Sequence, residues 1–268
     1  MHFFKIATRF IYRKEEVNKL IILNIFMFML INIASFIFAK LNTEYNILSN
    51  LGLSANLDVL IKKPWTIITY MFIQEDLIHI CLNIILLYCG GVMFMKYFNK
   101  HKLWQVYIIG GIIGAISYII SFNIFTVFLE LKSNSLAIGA SASIFSILIA
   151  CITYTPNQKI PTFIFGNVKL KYLGIFIIIV DLLSIPYGNP GGHIAHIGGA
   201  IYGFVFSKIQ LKENKQYIYR RYENDYEYNS RKQDEEKQLN TILEKISNSG
   251  YESLNKEEKE ILLKHSNS

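Results

Sequence analysis

Two short strings in this 268-residue sequence carry reactive side chains at the starts of apolar runs: Gly139-Ala140-Ser141-Ala142 and Ala195-His196-Ile197-Gly198-Gly199. A hydroxyl and an imidazole are the parts of a nucleophile and its base. Serine attacks a carbonyl only when a neighbour accepts its proton, and a neutral His196 within hydrogen-bond reach of Ser141 would take that proton and return it to the leaving amine. The tetrahedral intermediate needs donors, for which the candidates are the Ser141 backbone N–H at a helix start, the Asn83 amide and the His79 ring. Phe145 follows Ser141 by four residues, so it shares a helix face with it and is placed to stack on His196. No carboxylate lies near His196 in sequence. A dyad is therefore expected rather than a full triad, with some other contact orienting the ring.

Each of these residues has a plainer explanation when taken singly. Ser141 sits beside Ala140, Ala142 and Ser143, the small residues that let membrane helices approach closely. His196 could be a buried histidine bonded to a backbone carbonyl, and His79 and Asn83 could be interhelical hydrogen-bond partners. The joint pattern outweighs these readings, because two histidines, an amide and a hydroxyl inside hydrocarbon are separate costs without a common return unless they form one site.

The elements that must position them are membrane helices. Hydrophobic residues make up 52% of the chain and aromatics 14%, more than an ordinary soluble domain of this size carries. A span needs roughly 20 mainly apolar residues to cross about 30 Å of hydrocarbon. Six segments are candidates, near 20–39, 79–98, 104–122, 140–155, 172–186 and 194–208, of which the fourth and sixth are short. All five prolines, Pro64, Pro156, Pro161, Pro186 and Pro190, fall in loops or at span ends.

Lys5, Arg9, Arg13, Lys14, Lys19, Lys96, Lys100, Lys102, Lys159, Lys169 and Lys171 collect on one side of this arrangement, against Lys40, Lys62, Lys63 and Lys132 on the other. The basic tail joins the rich side. The expectation is that both termini are cytoplasmic. Every even-numbered span then enters from outside, so His79, Asn83, Ser141 and His196 share one depth below the outer face. His79 and Asn83, four apart, also share a helix face. The net charge of +7 is accounted for by basic flanks against anionic lipid, and no nucleic acid is expected as a partner.

On these residues the chain resembles the rhomboid family of intramembrane serine proteases over about residues 20–208. His79-Ile80-Cys81-Leu82-Asn83 is similar to the family's HxxxN element, Gly139-Ala140-Ser141-Ala142 to its GxSx element, and Gly191 through Gly199 to its GxxxAHxxG element. The resemblance implies an all-α polytopic bundle of six transmembrane helices, a Ser141–His196 dyad, and oxyanion contacts from His79, Asn83 and the Ser141 backbone. It further implies a water-filled cavity opening outward, and cleavage of single-pass membrane protein substrates near small and helix-breaking residues. Trp65-Thr66 and Gln74 depart from the family's pattern, where Trp-Arg and a histidine are often found. The segment from Pro64 to Ile78 is too short to span and suits the partly embedded external loop of that family.

The expected organisation is a cytoplasmic segment over 1–19, a six-helix core over 20–208 and a polar tail over 209–268. The first apolar run lacks a cleavage site and reads as a retained helix, which points to a bacterial cytoplasmic membrane with the active site facing outward. Cys81, Cys89 and Cys151 lie in spans and read as packing residues rather than disulfide partners. His193 and His196 form an isolated HxxH. Without a third ligand in the sequence pattern, no metal and no cofactor is expected. Asp181 in the fifth span has three readings, an interior protonated acid, a partner of a neighbouring side chain, or a group near the outer cavity, with structural roles favoured. In the tail, Leu239, Ile242, Leu243 and Ile246 keep helical spacing, Gly250 interrupts, and Asn255 with Glu258 forms a capping box before Ile261, Leu262 and Leu263, which predicts a short helical hairpin.

Overall fold

A computed structural model describes residues 2–41, 46–74, 76–132, 135–162 and 166–266. Three of its long helices begin where the sequence offers caps. α1 runs His2–Lys40 and thus takes in the first nineteen residues from His2 onward. The connection that follows is built from short helices, α2 (Ile47–Leu51), α3 (Leu57–Lys62) and α4 (Thr66–Thr69), the last continuing as a 3₁₀ turn over Tyr70–Phe72. α5 (Leu77–Tyr97) starts after Asp76, whose carboxylate accepts from the His79 N–H at 2.8 Å, and α6 (Lys100–Ile124) after Asn99, which caps Lys102 N–H at 3.0 Å. α7 spans Ser141–Tyr154 and α8 Leu170–Ser184. α9 opens with Pro190 at its first position, is capped by Asn189, and is helical over Pro190–Ser249. Where the sequence reading ends the sixth span at 208 and changes to polar composition, the backbone stays helical. α10 (Lys256–Ser266) follows.

Four helical stretches among the described residues are long and apolar enough to cross a bilayer: Lys14–Lys40, Leu77–Tyr97, Lys100–Ile124 and Leu170–Tyr187. α7 has 14 residues, so at about 1.5 Å per residue it falls short of a full crossing. Its burial explains why that is tolerable. Ala142, Ser143, Ile144, Ser146, Ile147, Ile149, Ala150, Cys151 and Ile152 are all buried, so protein surrounds this helix where lipid would otherwise meet its ends. By contrast, α1 turns Ile22, Phe26, Met29, Ile33 and Phe36 outward, and α8 turns out Ile175, Phe176, Ile179 and Leu183. Cys81 and Cys89 are exposed on α5, whereas Cys151 is buried.

Small residues set the distances inside the bundle. A Cβ on Gly110 would strike the Ser146 side chain and one on Gly111 the Ser143 hydroxyl, which seats α6 against α7. A Cβ on Gly199 would run into the Ala142 carbonyl oxygen, and one on Gly203 into that of Ser146, which seats α9 against α7, while one on Gly198 would strike Ser117 of α6, so the three helices pack on one another. Ser207 Oγ donates to Ala150 O at 2.5 Å along the same seam. Around these contacts the core is filled by Tyr70, Tyr107, Tyr118, Phe94 and Phe122, all essentially inaccessible.

Two short antiparallel pairs complete the fold. β1 (Leu53–Ser54) pairs with β2 (Leu136–Ala137) in the register Leu53↔Ala137, and β3 (Lys159–Thr162) pairs with β4 (Gly166–Lys169) in the register Lys159↔Lys169. The first pair ties the α1–α5 connection to the strand that leads into α7.

The chain divides into two compact units, 1–210 and 211–268. In the second, Gly250 takes φ +75 and ends the helix, Asn255 Oδ1 accepts from Glu258 N–H and Glu258 Oε2 from Asn255 N–H, both at 2.8 Å. This is the reciprocal capping box expected from the sequence. Ile242 and Leu254 are buried there, and Lys245 Nζ donates to both Glu258 oxygens at 2.8 and 2.9 Å.

Candidate active site

Ser141 is the first residue of α7, so its backbone N–H is among those that a helix leaves without an internal partner. His196 lies in the second turn of α9. The glycine contacts that press α9 onto α7 bring the two side chains together, with Ser141 Oγ 2.6 Å from His196 Nε2. Phe145, one turn along α7, lies under the imidazole with ring centroids 4.4 Å apart and planes inclined by 15°, the stacked arrangement expected from its spacing.

Gly139 holds φ +127, a conformation that a side chain would strain. Its N–H donates to the Tyr70 carbonyl at 3.0 Å, which fixes the approach to α7 from the α4 connection. A Cβ at this position would lie 3.0 Å from His79 Cε1, 3.1 Å from His79 Nε2 and 3.4 Å from Ser141 Oγ. The His79 ring and the Ser141 hydroxyl therefore flank the same backbone atom. Of the four polar residues placed at one depth by the sequence, these two and His196 gather at one point.

Asn83 is held differently. Its Nδ2 donates to Gln74 Oε1 at 2.7 Å, and Gln74 Nε2 in turn reaches Asn24 Oδ1 at 3.4 Å, in a buried chain that ends on the Tyr107 hydroxyl. Gln74, noted from the sequence only as a departure from a motif, is thus the residue that orients Asn83.

The expectation of an imidazole without a carboxylate partner needs correction. Asp181 of α8 places Oδ1 2.9 Å from His196 Nδ1 and 2.7 Å from His193 Nδ1. Fifteen residues separate Asp181 from His196 along the chain, which is why proximity in sequence gave no sign of it. The signal that could have found it was the lone carboxylate in an otherwise apolar span. Asp181, His193 and His196 also have the donor types that ligate a divalent ion, and their nearest ligand atoms lie within 4.8 Å of one another. In the structure those atoms are paired with each other. The arrangement offers a hydroxyl, a base to accept its proton, and a helix N-terminus and a ring beside the point of attack.

Comparison with known proteins places this sequence in a lineage. The profile of the Rhomboid domain matches residues 62–213, and a family of unknown function, DUF6576, matches residues 222–268. Among curated proteins, "RHOMBOID-like protein 12, mitochondrial" from Arabidopsis thaliana is 31% identical over 144 residues, covering 50% of this chain and 43% of that protein. "RHOMBOID-like protein 7" from the same plant is 23% identical over 150 residues, covering 56% of this chain and 44% of its own length. The chain spans less than half the length of these relatives. The domain match takes in more than half of the chain and contains all three motifs, from His79 through Ser141 to His196, so the chain belongs to the rhomboid family.

Proposed function

We propose that this multi-pass membrane protein is a serine endopeptidase that cuts transmembrane segments of membrane proteins inside the bilayer. Ser141 is the nucleophile and His196 its base. The observation that carries the reading is the 2.6 Å separation of Ser141 Oγ and His196 Nε2, formed between residues 55 positions apart on two helices seated together by glycine. Proton transfer from Oγ to Nε2 accompanies attack on the substrate carbonyl. The oxyanion is met by the Ser141 N–H at the start of α7 and by His79, with Asn83 as a further donor once its amide turns from Gln74. Phe145 and Gly139 keep the base and the nucleophile in place.

The same reading extends to the membrane. Residues 20–208 form a six-span core in which α7 and the apolar first part of α9 join the four full-length spans. Residues 1–19 and 209–268 lie on the cytoplasmic side of a bacterial cytoplasmic membrane, and the site opens outward. The Lys and Arg asymmetry of the loops supports this orientation. Substrates are single-pass membrane proteins, reached through the lipid phase, and no cofactor is required.

The test is direct. The purified full chain in detergent is expected to cleave a transmembrane model substrate and to react with a fluorophosphonate probe, and Ser141→Ala to lose both. Undiminished labelling in that variant would remove the nucleophile assignment.

A further inference from the structure

α8 is an apolar helix from Leu170 to Ser184, and Asp181 interrupts it one turn from its end. Its side chain is only 6% exposed. Burial of a carboxylate in such a place is costly and calls for compensation. Oδ1 alone provides it, lying 2.7 Å from His193 Nδ1 and 2.9 Å from His196 Nδ1, while Oδ2 is buried with no partner among the described residues. The two rings stand edge to face, 5.8 Å apart at 88°, so both converge on one oxygen from different directions.

An ionised carboxylate is an acceptor only. Each ring that bonds it must therefore carry a proton on Nδ1. A neutral imidazole has one such proton, so His196 is left with a bare Nε2, and that is the atom facing Ser141 Oγ at 2.6 Å. We infer that Asp181 is a positioning residue that sets the tautomer and the orientation of His196, so that its unprotonated nitrogen faces the Ser141 hydroxyl. The inference rests on the reading of Ser141 and His196 given above.

The acylation step then balances with the groups at hand, and a water molecule, deprotonated by the same Nε2, afterwards hydrolyses the acyl-enzyme and returns the proton to Ser141 Oγ. The Ser141 Oγ–H bond breaks as the Oγ–carbon bond forms, the proton passes to His196 Nε2, and the carbonyl electron pair moves to the oxyanion. Asp181 faces the resulting imidazolium across Nδ1–H. When the amide C–N bond breaks, the same proton leaves on the amine, and the neutral Nδ1–H tautomer is restored. His193 takes part only through Asp181. By holding the same Oδ1 at 2.7 Å it stops the carboxylate from turning its buried Oδ2 toward His196.

A plain helix clamp between α8 and α9 would have the same hydrogen bonds, so the test must read the tautomer as well as the rate. The full chain is labelled with ¹⁵N-histidine in detergent, and the His196 resonances are assigned by their absence in His196→Gln. In the native protein His196 is expected to be protonated at Nδ1 and free at Nε2. Asp181→Asn offers a donor as well as an acceptor, so His196 should then show mixed or inverted protonation. Its kcat should fall by about 100-fold or more with KM little changed, since an equivalent change in other serine proteases misdirects the tautomer.

Native His196 protonated at Nε2 would overturn the inference, and this readout needs no Asp181 variant to fold. A fall in kcat with the tautomer unaltered in Asp181→Asn would also overturn it, because loss of a clamp gives that result. The spectrum is independent of the protease reading. Fluorophosphonate labelling that survives Ser141→Ala rejects the nucleophile, while the protonation of His196 still reports on Asp181.

Discussion

Stacking between Phe145 and His196 adds to the Ser141 hydrogen bond a second restraint on the imidazole from α7, the helix that carries Ser141. The ring lies nearly parallel to the imidazole at 4.4 Å, so it limits rotation about the His196 side chain while leaving both nitrogens free for hydrogen bonds. Aromatic pairs of this kind are worth roughly 0.5–1.5 kcal/mol beyond the area they bury. Phe145→Ala is therefore expected to lower kcat by about two- to tenfold with KM unaffected. Cleavage kinetics beside a thermal unfolding curve would check this; a change confined to the melting temperature would contradict it. Gly139 acts on the other partner. Its φ of +127 and the approach of His79 leave no room for a side chain, so the backbone before Ser141 can turn sharply into α7 without displacing the ring beside it.

Helices meet at this site because three of them carry small residues along one seam. α7 is too short to span and is buried on most sides, and glycines of both α6 and α9 press against it. The Ser141–His196 distance is a consequence of that second contact. Gly199 is the tightest point, where any side chain would meet the Ala142 carbonyl, next in sequence to Ser141. Gly199→Leu is expected to destabilise the bundle by about 1–3 kcal/mol, as overpacking does, and to part the two side chains. Fluorophosphonate labelling should be lost at temperatures where the protein is still folded. Ile201→Leu, an exposed position on the same helix, should label as the native chain does. Equal labelling of both variants would show that the seam does not set the distance.

At the scale of the molecule, the chain joins an apolar helical core to a polar unit with its own cohesion. The core rests on buried aromatics and close-packed small residues, whereas the unit over 211–268 relies on the capping box at Asn255 and Glu258 and on the Lys245–Glu258 ion pair. The hydrogen bonds from Lys245, followed by that from the Asn255 N–H, hold the Glu258 carboxyl below its ordinary value of 4.5. A group whose folded value is depressed contributes stability above the unfolded value and loses it as the pH falls through the folded one. The helix Lys256–Ser266 should therefore lose hydrogen-exchange protection, after correction for intrinsic rates, as the pH is lowered below about 4.5. Glu258→Gln should show lower protection at neutral pH and little further change on acidification. A pH-independent profile in the native chain would rule out the ion pair as the support of this turn.

The membrane class, the four full-length spans, the motif-bearing residues and the capping box of the tail are written locally in the sequence. Hydropathy, helical spacing and cap chemistry act over fewer than about twenty residues, so Ser141, Phe145 and the Asn255–Glu258 pair could be read from their neighbours alone. Only the tertiary structure decided what completes the site. Asp181 reaches His196, and Gln74 reaches Asn83, across separate helices, and the angle at which α8 meets α9 depends on the packing of every side chain between them. No spacing along the chain encodes that angle. The sequence accordingly pointed to two reactive groups, and the fold added the carboxylate that holds one of them.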